Sequence, residues 1–190
     1  MTSILEDNLR IDFLMKPYFN TQNGFDKTGV KKAFLDFCRT LKIKDDNRAT
    51  LKQSAEDFIL ERLSLLTENE FFSQKSFDDF HEESCVKLIE TWDELTLGQA
   101  QKWINMTLKY WLLFGDKRIG GIEKNAKYFH IPIDSYVQKE MFKEKNPDPW
   151  SKFADYQTYF NYQERHRKKA TGNAPIIDEF KFFNEYIPPK

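Results

Sequence analysis

The sequence has few of the features that mark a secreted, nucleotide-binding or membrane-spanning protein. It contains two cysteines, Cys38 and Cys85, and no signal-peptide pattern, so we expect free thiols in a reducing cytoplasm. Its longest strongly apolar run, Tyr110 to Phe114, is far shorter than the roughly 20 residues that a membrane helix requires. Its glycine-containing stretch GDKRIGG lacks the following Lys-Ser/Thr of a phosphate loop. We therefore expect neither a membrane span nor this type of nucleotide site.

An excess of charge of one sign is also missing. Lys plus Arg number 29 and Asp plus Glu number 30, so the chain as a whole is not an electrostatic nucleic-acid binder. The charge is nevertheless divided along the chain. Residues 45–98 carry 14 acidic and 5 basic side chains, a net charge of −9, whereas residues 99–145 carry 5 acidic and 9 basic, a net charge of +4. This division suits a protein interface, a nucleic-acid cleft or an ordinary solvated surface.

Apolar and aromatic residues are abundant and recur at helical spacing. Eighteen Phe, eight Tyr and four Trp can fill a large core, and no segment shows the alternation of a strand. The sequence therefore predicts an all-α protein of about eight helices in a single domain, residues 1–190. After a short N-terminal packing helix, the predicted helices are 26–44 capped by Asp26, 49–66, 77–92 capped by Ser76, 98–114, 122–129, 135–142, 151–169 and 176–186.

The segment GQAQKWINMTLKY, residues 98–110, combines a broad apolar helix face with a polar stripe. Lys102, Asn105 and Lys109 stand at positions i, i+3 and i+7 and thus on one side of the predicted helix. One interpretation is a solvated helix face. The other is a site that holds an amine against an acidic or phosphorylated group.

A carboxylate follows Lys102 after 32 residues, in the segment HIPID. Pro132 prevents a helix there, and Asp134 is placed to cap the next helix, with Ser135 and Gln138 as an alternative capping box. An amine and a carboxylate together are a minimal set for Schiff-base chemistry at the anomeric carbon of a sugar. The alternative is that Lys102 is solvated and that Asp134 is only a helix cap.

Together, GQAQKWINMTLKY and HIPIDSYV resemble the central part of the helix-hairpin-helix DNA glycosylase superfamily, especially its archaeal 8-oxoguanine glycosylase branch, over about residues 93–142. They also resemble uncharacterised bacterial proteins of similar size. The superfamily resemblance implies an all-helical fold of two lobes, here 25–92 and 93–187, around a cleft that receives a base flipped out of DNA. It also implies that Lys102 is the Schiff-base nucleophile and that Asp134 is the catalytic aspartate.

Five residues are candidates for DNA binding. In this superfamily the hairpin glycines hold a DNA phosphate through backbone amides, and Gly98 and Gln99 occupy that place in LTLGQAQK. Lys109 continues the polar stripe. Arg165 and Lys168 belong to the basic run RHRKK at the end of a predicted helix, where they can bind phosphate or simply complement the helix dipole.

Metal binding has little support in the sequence. His81 and Cys85 stand four residues apart and could donate two zinc ligands, but they form only half of a site, so we expect neither a metal nor a cofactor. The first functional hypothesis is a DNA-repair-like N-glycosylase or lyase that acts on a damaged base. The alternative is a non-enzymatic helical module that binds a partner protein.

Overall fold

The structure of the chain, a computed structural model, describes residues 9, 12, 13, 15, 17–42, 47–71, 73–169 and 172–185. All regular structure in these residues is helical, so the predicted all-α class is confirmed. The α-helices are α1 Phe25–Phe37, α2 Arg48–Glu68, α3 Gln74–Thr91, α4 Leu97–Phe114, α5 Tyr156–Arg167 and α6 Pro175–Glu185. Shorter segments are the 3-10 turns Thr21–Asn23, Cys38–Thr40, Ile122–Tyr128 and Trp150–Lys152 and the π-helical segment Val137–Met141.

Helix α4 lies at the centre of the fold because it is apolar over most of its circumference. Its N-terminus is fixed by a capping box in which Thr96 and Gln99 each accept the other's backbone N–H. It packs most extensively against α1, where the indole N–H groups of Trp103 and Trp111 donate to backbone carbonyls, at 3.0 and 2.9 Å. Gly29 permits this close approach, since a Cβ there would lie 2.5 Å from the Trp111 ring. Burial of these aromatic rings supplies much of the apolar stabilisation of the core.

Several helix boundaries differ from the sequence-based prediction. Helix α1 ends at Phe37 instead of near residue 44, and its N-cap is Gly24, without a side-chain cap from Asp26. Helix α3 begins before residue 77, because the hydroxyl of Ser73 accepts the backbone N–H of Ser76 and thereby caps the helix three residues earlier than predicted.

The helix predicted over 151–169 instead begins later than predicted, at Tyr156, with Asp155 as its N-cap. The preceding residues pack against the start of α4 instead of joining the helix. The Thr96 hydroxyl donates to the Ser151 carbonyl at 2.9 Å, and the Gly98 N–H donates to the Phe153 carbonyl at 3.3 Å. Tertiary hydrogen bonds thus override the local helical preference.

The apolar core is continuous across residue 92, the boundary suggested between two lobes. Phe34 contacts the rings of both Trp92 and Trp103, at centroid distances of 6.4 and 5.1 Å. The division into lobes 25–92 and 93–187 stays a prediction. Within the described ranges, no helix is both long and apolar enough to cross a bilayer.

Candidate functional site

Lys102 and Asp134 are in direct contact. The Lys102 Nζ lies 2.6 Å from Asp134 Oδ2, and only 6% of the lysine side chain and 27% of the aspartate side chain are exposed. The second carboxylate oxygen, Oδ1, accepts the backbone N–H of Val137 at 2.8 Å, so Asp134 is the helix cap that the sequence predicted. The alternative capping box does not form, because the Gln138 amide donates to the Asp148 carbonyl and the Tyr162 hydroxyl.

Two buried glutamines hold the extended segment that ends at Asp134. Gln101 accepts the N–H of Ile133 at 3.2 Å and donates to its carbonyl at 2.8 Å. Gln163 does the same for Ile131, at 3.0 and 2.8 Å. Each amide pairs with the backbone as a neighbouring strand would, and the carboxylate is thereby fixed beside the amine. Sequence reasoning missed both residues; the available signal was the position of Gln101 within a helix that is otherwise largely apolar.

The amine and the carboxylate open into a cleft of about 570 Å³ between α1, α4 and α6. A second ion pair crosses this cleft, in which Lys109 Nζ lies 2.6 Å from Glu179 Oε2 with both side chains largely buried. The remaining wall is mostly apolar and aromatic. The lining residues are Leu35, Asp36, Arg39, Lys102, Met106, Lys109, Tyr110, Leu113, Asp134, Tyr136, Glu179, Phe180, Phe183 and Asn184.

The pKa values of two acidic residues of the cleft, Asp134 and Asp36, are shifted in opposite directions. Burial tends to raise the pKa of Asp134, but the Lys102 ammonium and backbone N–H groups hold that pKa below its ordinary value. Burial raises the pKa of Asp36, although the Tyr110 hydroxyl donates to this carboxyl at 2.9 Å and nearby lysines oppose the shift. Asp134 is therefore a carboxylate at neutral pH, and it forms an ion pair with the Lys102 ammonium.

The predicted polar stripe is only partly correct, because Asn105 does not face the cleft. It is fully buried and belongs to a second, buried polar network, where it accepts from His81 Nε2 at 3.0 Å and donates to the Tyr159 hydroxyl at 2.8 Å. His130 Nδ1 lies 2.8 Å from the same hydroxyl, and His130 Nε2 lies 2.7 Å from Asp78 Oδ1. Met106, one residue further along α4, takes the position on the cleft that the stripe assigned to Asn105.

His81 and Cys85 lie within this buried network. The Cys85 Sγ is 3.8 Å from His81 Nδ1, and that nitrogen is also 2.9 Å from the Tyr156 hydroxyl. Burial raises the pKa of the Cys85 thiol, which disfavours the thiolate that a metal would need. Among the described residues, no group of three or more His, Cys, Asp or Glu side chains could hold a metal ion.

Gly98 and Gln99 are buried at the start of α4 and serve the packing of their own chain. A Cβ at Gly98 would lie 1.7 Å from the Trp150 carbonyl oxygen, so this glycine is required by a close backbone approach. The Gln99 side chain completes the capping box and donates to the carbonyl and the hydroxyl of Thr40. A DNA phosphate at these amides would have to displace such contacts. Their assignment to DNA binding stays a prediction that the geometry does not favour.

Arg165 and Lys168 lie at the C-terminal end of α5, outside the residues that line the cleft. Arg165 forms an ion pair with Glu144 and stacks over the rings of Phe142 and Tyr162, at 5.0 and 5.3 Å. Lys168 is exposed. The structure thus brings Lys102, Lys109 and Asp134 to one cleft and leaves the other DNA-binding candidates elsewhere.

No family model, curated protein or solved structure matches the chain. The geometry of the site therefore carries the functional argument. A partly buried amine touches a carboxylate at the wall of a cleft with aromatic sides, an arrangement that can form a covalent bond to a carbonyl or anomeric carbon.

Proposed function

We propose that the protein is a DNA N-glycosylase and lyase that attacks a damaged nucleotide through Lys102, with Asp134 as its partner. The observation that carries this proposal is the 2.6 Å contact between the two side chains at the wall of one cleft. The amine is shielded from bulk water, and an acceptor for its proton is already in place. These are the conditions that nucleophilic catalysis by lysine requires.

In the proposed reaction, the Lys102 ammonium transfers a proton to the Asp134 carboxylate, and the neutral amine that results attacks C1′ of the nucleotide. The C1′–N bond to the base breaks, and the base leaves with the bonding electron pair and takes up a proton. Opening of the sugar ring gives an imine between Nζ and C1′. Loss of a C2′ proton then expels the 3′ phosphate, and water releases the sugar from the lysine.

The cleft suits a nucleotide that has left the base stack. Its volume of about 570 Å³ is within the range of small-molecule sites. Phe180 and Phe183 on α6 also line the cleft, with the Lys109 ammonium 5.0 and 4.9 Å from their ring centroids, and aromatic rings can stabilise flipped bases by stacking. Only 6% of the Lys102 side chain is exposed, and this burial strengthens its electrostatic interaction with Asp134.

Borohydride trapping tests the proposal directly. The wild-type protein is incubated at saturating concentration with duplex DNA that contains either 8-oxoguanine or an abasic site, and the imine is reduced to a stable amine. We expect an adduct that peptide mass spectrometry assigns to Lys102. Lys102→Arg keeps the positive charge beside Asp134 but removes the nucleophilic amine, so we expect no adduct above background. Asp134→Asn should slow trapping by about 10²–10⁴-fold, because the proton acceptor is lost.

Lys75→Gln is the matched control, since it removes an exposed lysine of α3 that does not line the cleft. Its adduct yield at saturating DNA should equal that of the wild type. An adduct that persists in Lys102→Arg, or no adduct with either DNA, would refute the catalytic proposal. Thermal unfolding of each variant shows whether the fold is retained.

A second candidate function is a non-enzymatic module that binds a partner protein. It is favoured by three exposed apolar side chains at the cleft, Leu35, Leu113 and Phe183. Both lysines of the cleft are also already paired with carboxylates of the chain. This candidate predicts no retention on a DNA column at low salt, whereas the glycosylase proposal predicts retention that salt abolishes.

A further inference from the structure

A row of cations lies beside the cleft and has no part in the proposed chemistry. Lys27, Lys31 and Lys32 belong to α1, and Arg39 belongs to the 3-10 turn that follows it; these four residues are named the α1 basic face. Lys27, Lys31 and Arg39 are exposed and Lys32 is half-buried. None of the four forms an ion pair with another residue of the described ranges.

Four other lysines of the described residues are paired with carboxylates instead. Lys75 and Lys87, which are exposed on α3, bind carboxylates of their own helix at 2.7 and 2.6 Å. Lys102 and Lys109 bind the carboxylates of the cleft. The positive charges of the α1 basic face are therefore more available to an external anion than those of these four paired lysines.

The α1 basic face is continuous with the cleft. Lys27, Lys31 and Lys32 line a depression of about 260 Å³, and Leu35 borders both this depression and the cleft. Arg39 lines the cleft itself. The thirteen residues from Lys27 to Arg39 span about 18 Å over twelve steps at the helical rise, close to the length of five phosphate steps of one DNA strand.

We propose that the α1 basic face binds the phosphate backbone of the DNA strand whose damaged nucleotide enters the cleft. This inference rests on the proposed function for the identity of the polyanion. It replaces the phosphate contacts assigned to Gly98 and Gln99, whose polar groups are engaged within the chain. Tyr18, exposed beside Lys32 with its ring 5.6 Å from the ammonium, adds an aromatic surface next to the cations.

A duplex fits this surface better than an anionic membrane does. A helix that binds in a membrane interface inserts its apolar face into the lipid. The apolar face of α1, formed by Val30, Ala33, Phe34 and Phe37, is buried within the core of the protein. The exposed side of α1 is polar apart from Leu35, and such a side can recognise phosphate charge without hydrophobic insertion.

The test is the salt dependence of DNA binding, measured by fluorescence anisotropy on a short duplex with a central, unreactive abasic-site analogue. For Lys27→Gln/Lys31→Gln, the slope of log K against log salt concentration should decrease by about 2, because two phosphate contacts are lost. The matched control is Lys75→Gln/Lys87→Gln, which changes the net charge equally but on α3. Its slope should equal that of the wild type.

The outcomes separate this inference from the proposed catalysis. A reduced slope for the α1 variant, together with no borohydride adduct on Lys102, supports the surface and refutes the lyase. An adduct on Lys102 together with equal slopes for both double variants refutes the surface alone. Absence of salt-dependent DNA binding by the wild type refutes the surface, as does binding to vesicles rich in phosphatidylserine that exceeds binding to DNA.

Discussion

Lowering the pH from 7.5 to 5 should destabilise the protein, because His130 is buried in its neutral form. Ordinary carboxyl groups take up few protons in this range. His130 Nε2 lies 2.7 Å from Asp78 Oδ1 and 2.9 Å from an Arg167 guanidinium nitrogen, and His130 Nδ1 lies 2.8 Å from the Tyr159 hydroxyl. Burial lowers the pKa of His130 from 6.5 to about 4, although Asp78 opposes the shift and the Arg167 guanidinium adds to it. Burial also lowers the pKa of His81, so its effect has the same sign.

The sign and the size of the effect follow from linkage. Between pH 6.5 and about 4 the unfolded chain binds a proton at His130 that the folded chain does not, so the free energy of unfolding falls as the pH falls. Above pH 6.5 His130 is neutral in both the folded and the unfolded chain, so this loss in the free energy of unfolding does not occur there. One pKa unit corresponds to about 1.4 kcal/mol, so His130 alone should remove about 2 kcal/mol between pH 7.5 and pH 5.

Urea unfolding at these two pH values measures the effect, with His130→Gln as the perturbed protein. The variant should be less stable than the wild type at pH 7.5, and its loss of stability on going to pH 5 should be smaller by about 2 kcal/mol. Equal losses in both proteins would refute the reasoning. An NMR titration of the wild type gives a second check, because the His130 ring signals should show no titration between pH 7.5 and pH 5.5.

The remaining predictions concern packing and the two clusters of buried polar groups. Gly98→Ala should lower the free energy of unfolding by at least about 2 kcal/mol in a denaturant titration, because the added Cβ would overlap the Trp150 carbonyl oxygen. A change below about 0.5 kcal/mol would contradict the close approach. Gln101→Leu should lower the free energy of unfolding by about 3 kcal/mol in the same assay and slow borohydride trapping, since backbone groups beside the proposed catalytic pair lose their partner. Trapping at the wild-type rate would refute the positioning role. Lys109→Met should lower the free energy of unfolding by about 3 kcal/mol, because it leaves a buried carboxylate without its cation. Adding Glu179→Leu should recover most of this loss. Additive losses in the double-mutant cycle would contradict this coupling.

Local sequence patterns determined the helices and one cap. Apolar spacing of three and four residues is enforced by the helix itself, so the segments that became α1, α2, α4 and α6 could be recognised without tertiary information. Pro132 and Asp134 act on neighbouring residues, and the predicted extended segment and cap are both present. Caps that compete locally were less predictable, as the use of Ser73 in place of Ser76 shows.

Only the tertiary structure decided which polar side chains share the cleft. Lys102 and Asn105 are three residues apart on α4, yet one binds Asp134 and the other joins the buried histidine network, because different elements cover the two sides of the helix. Asp36 and Glu179 reach the same cleft from helices more than 60 residues from α4 in either direction along the chain. Periodicity places a residue on a helix face, but it carries no information about which distant element packs there. The sequence by itself therefore determined the helices and nominated the amine and the carboxylate, whereas long-range packing brought them to 2.6 Å and built the cleft around them.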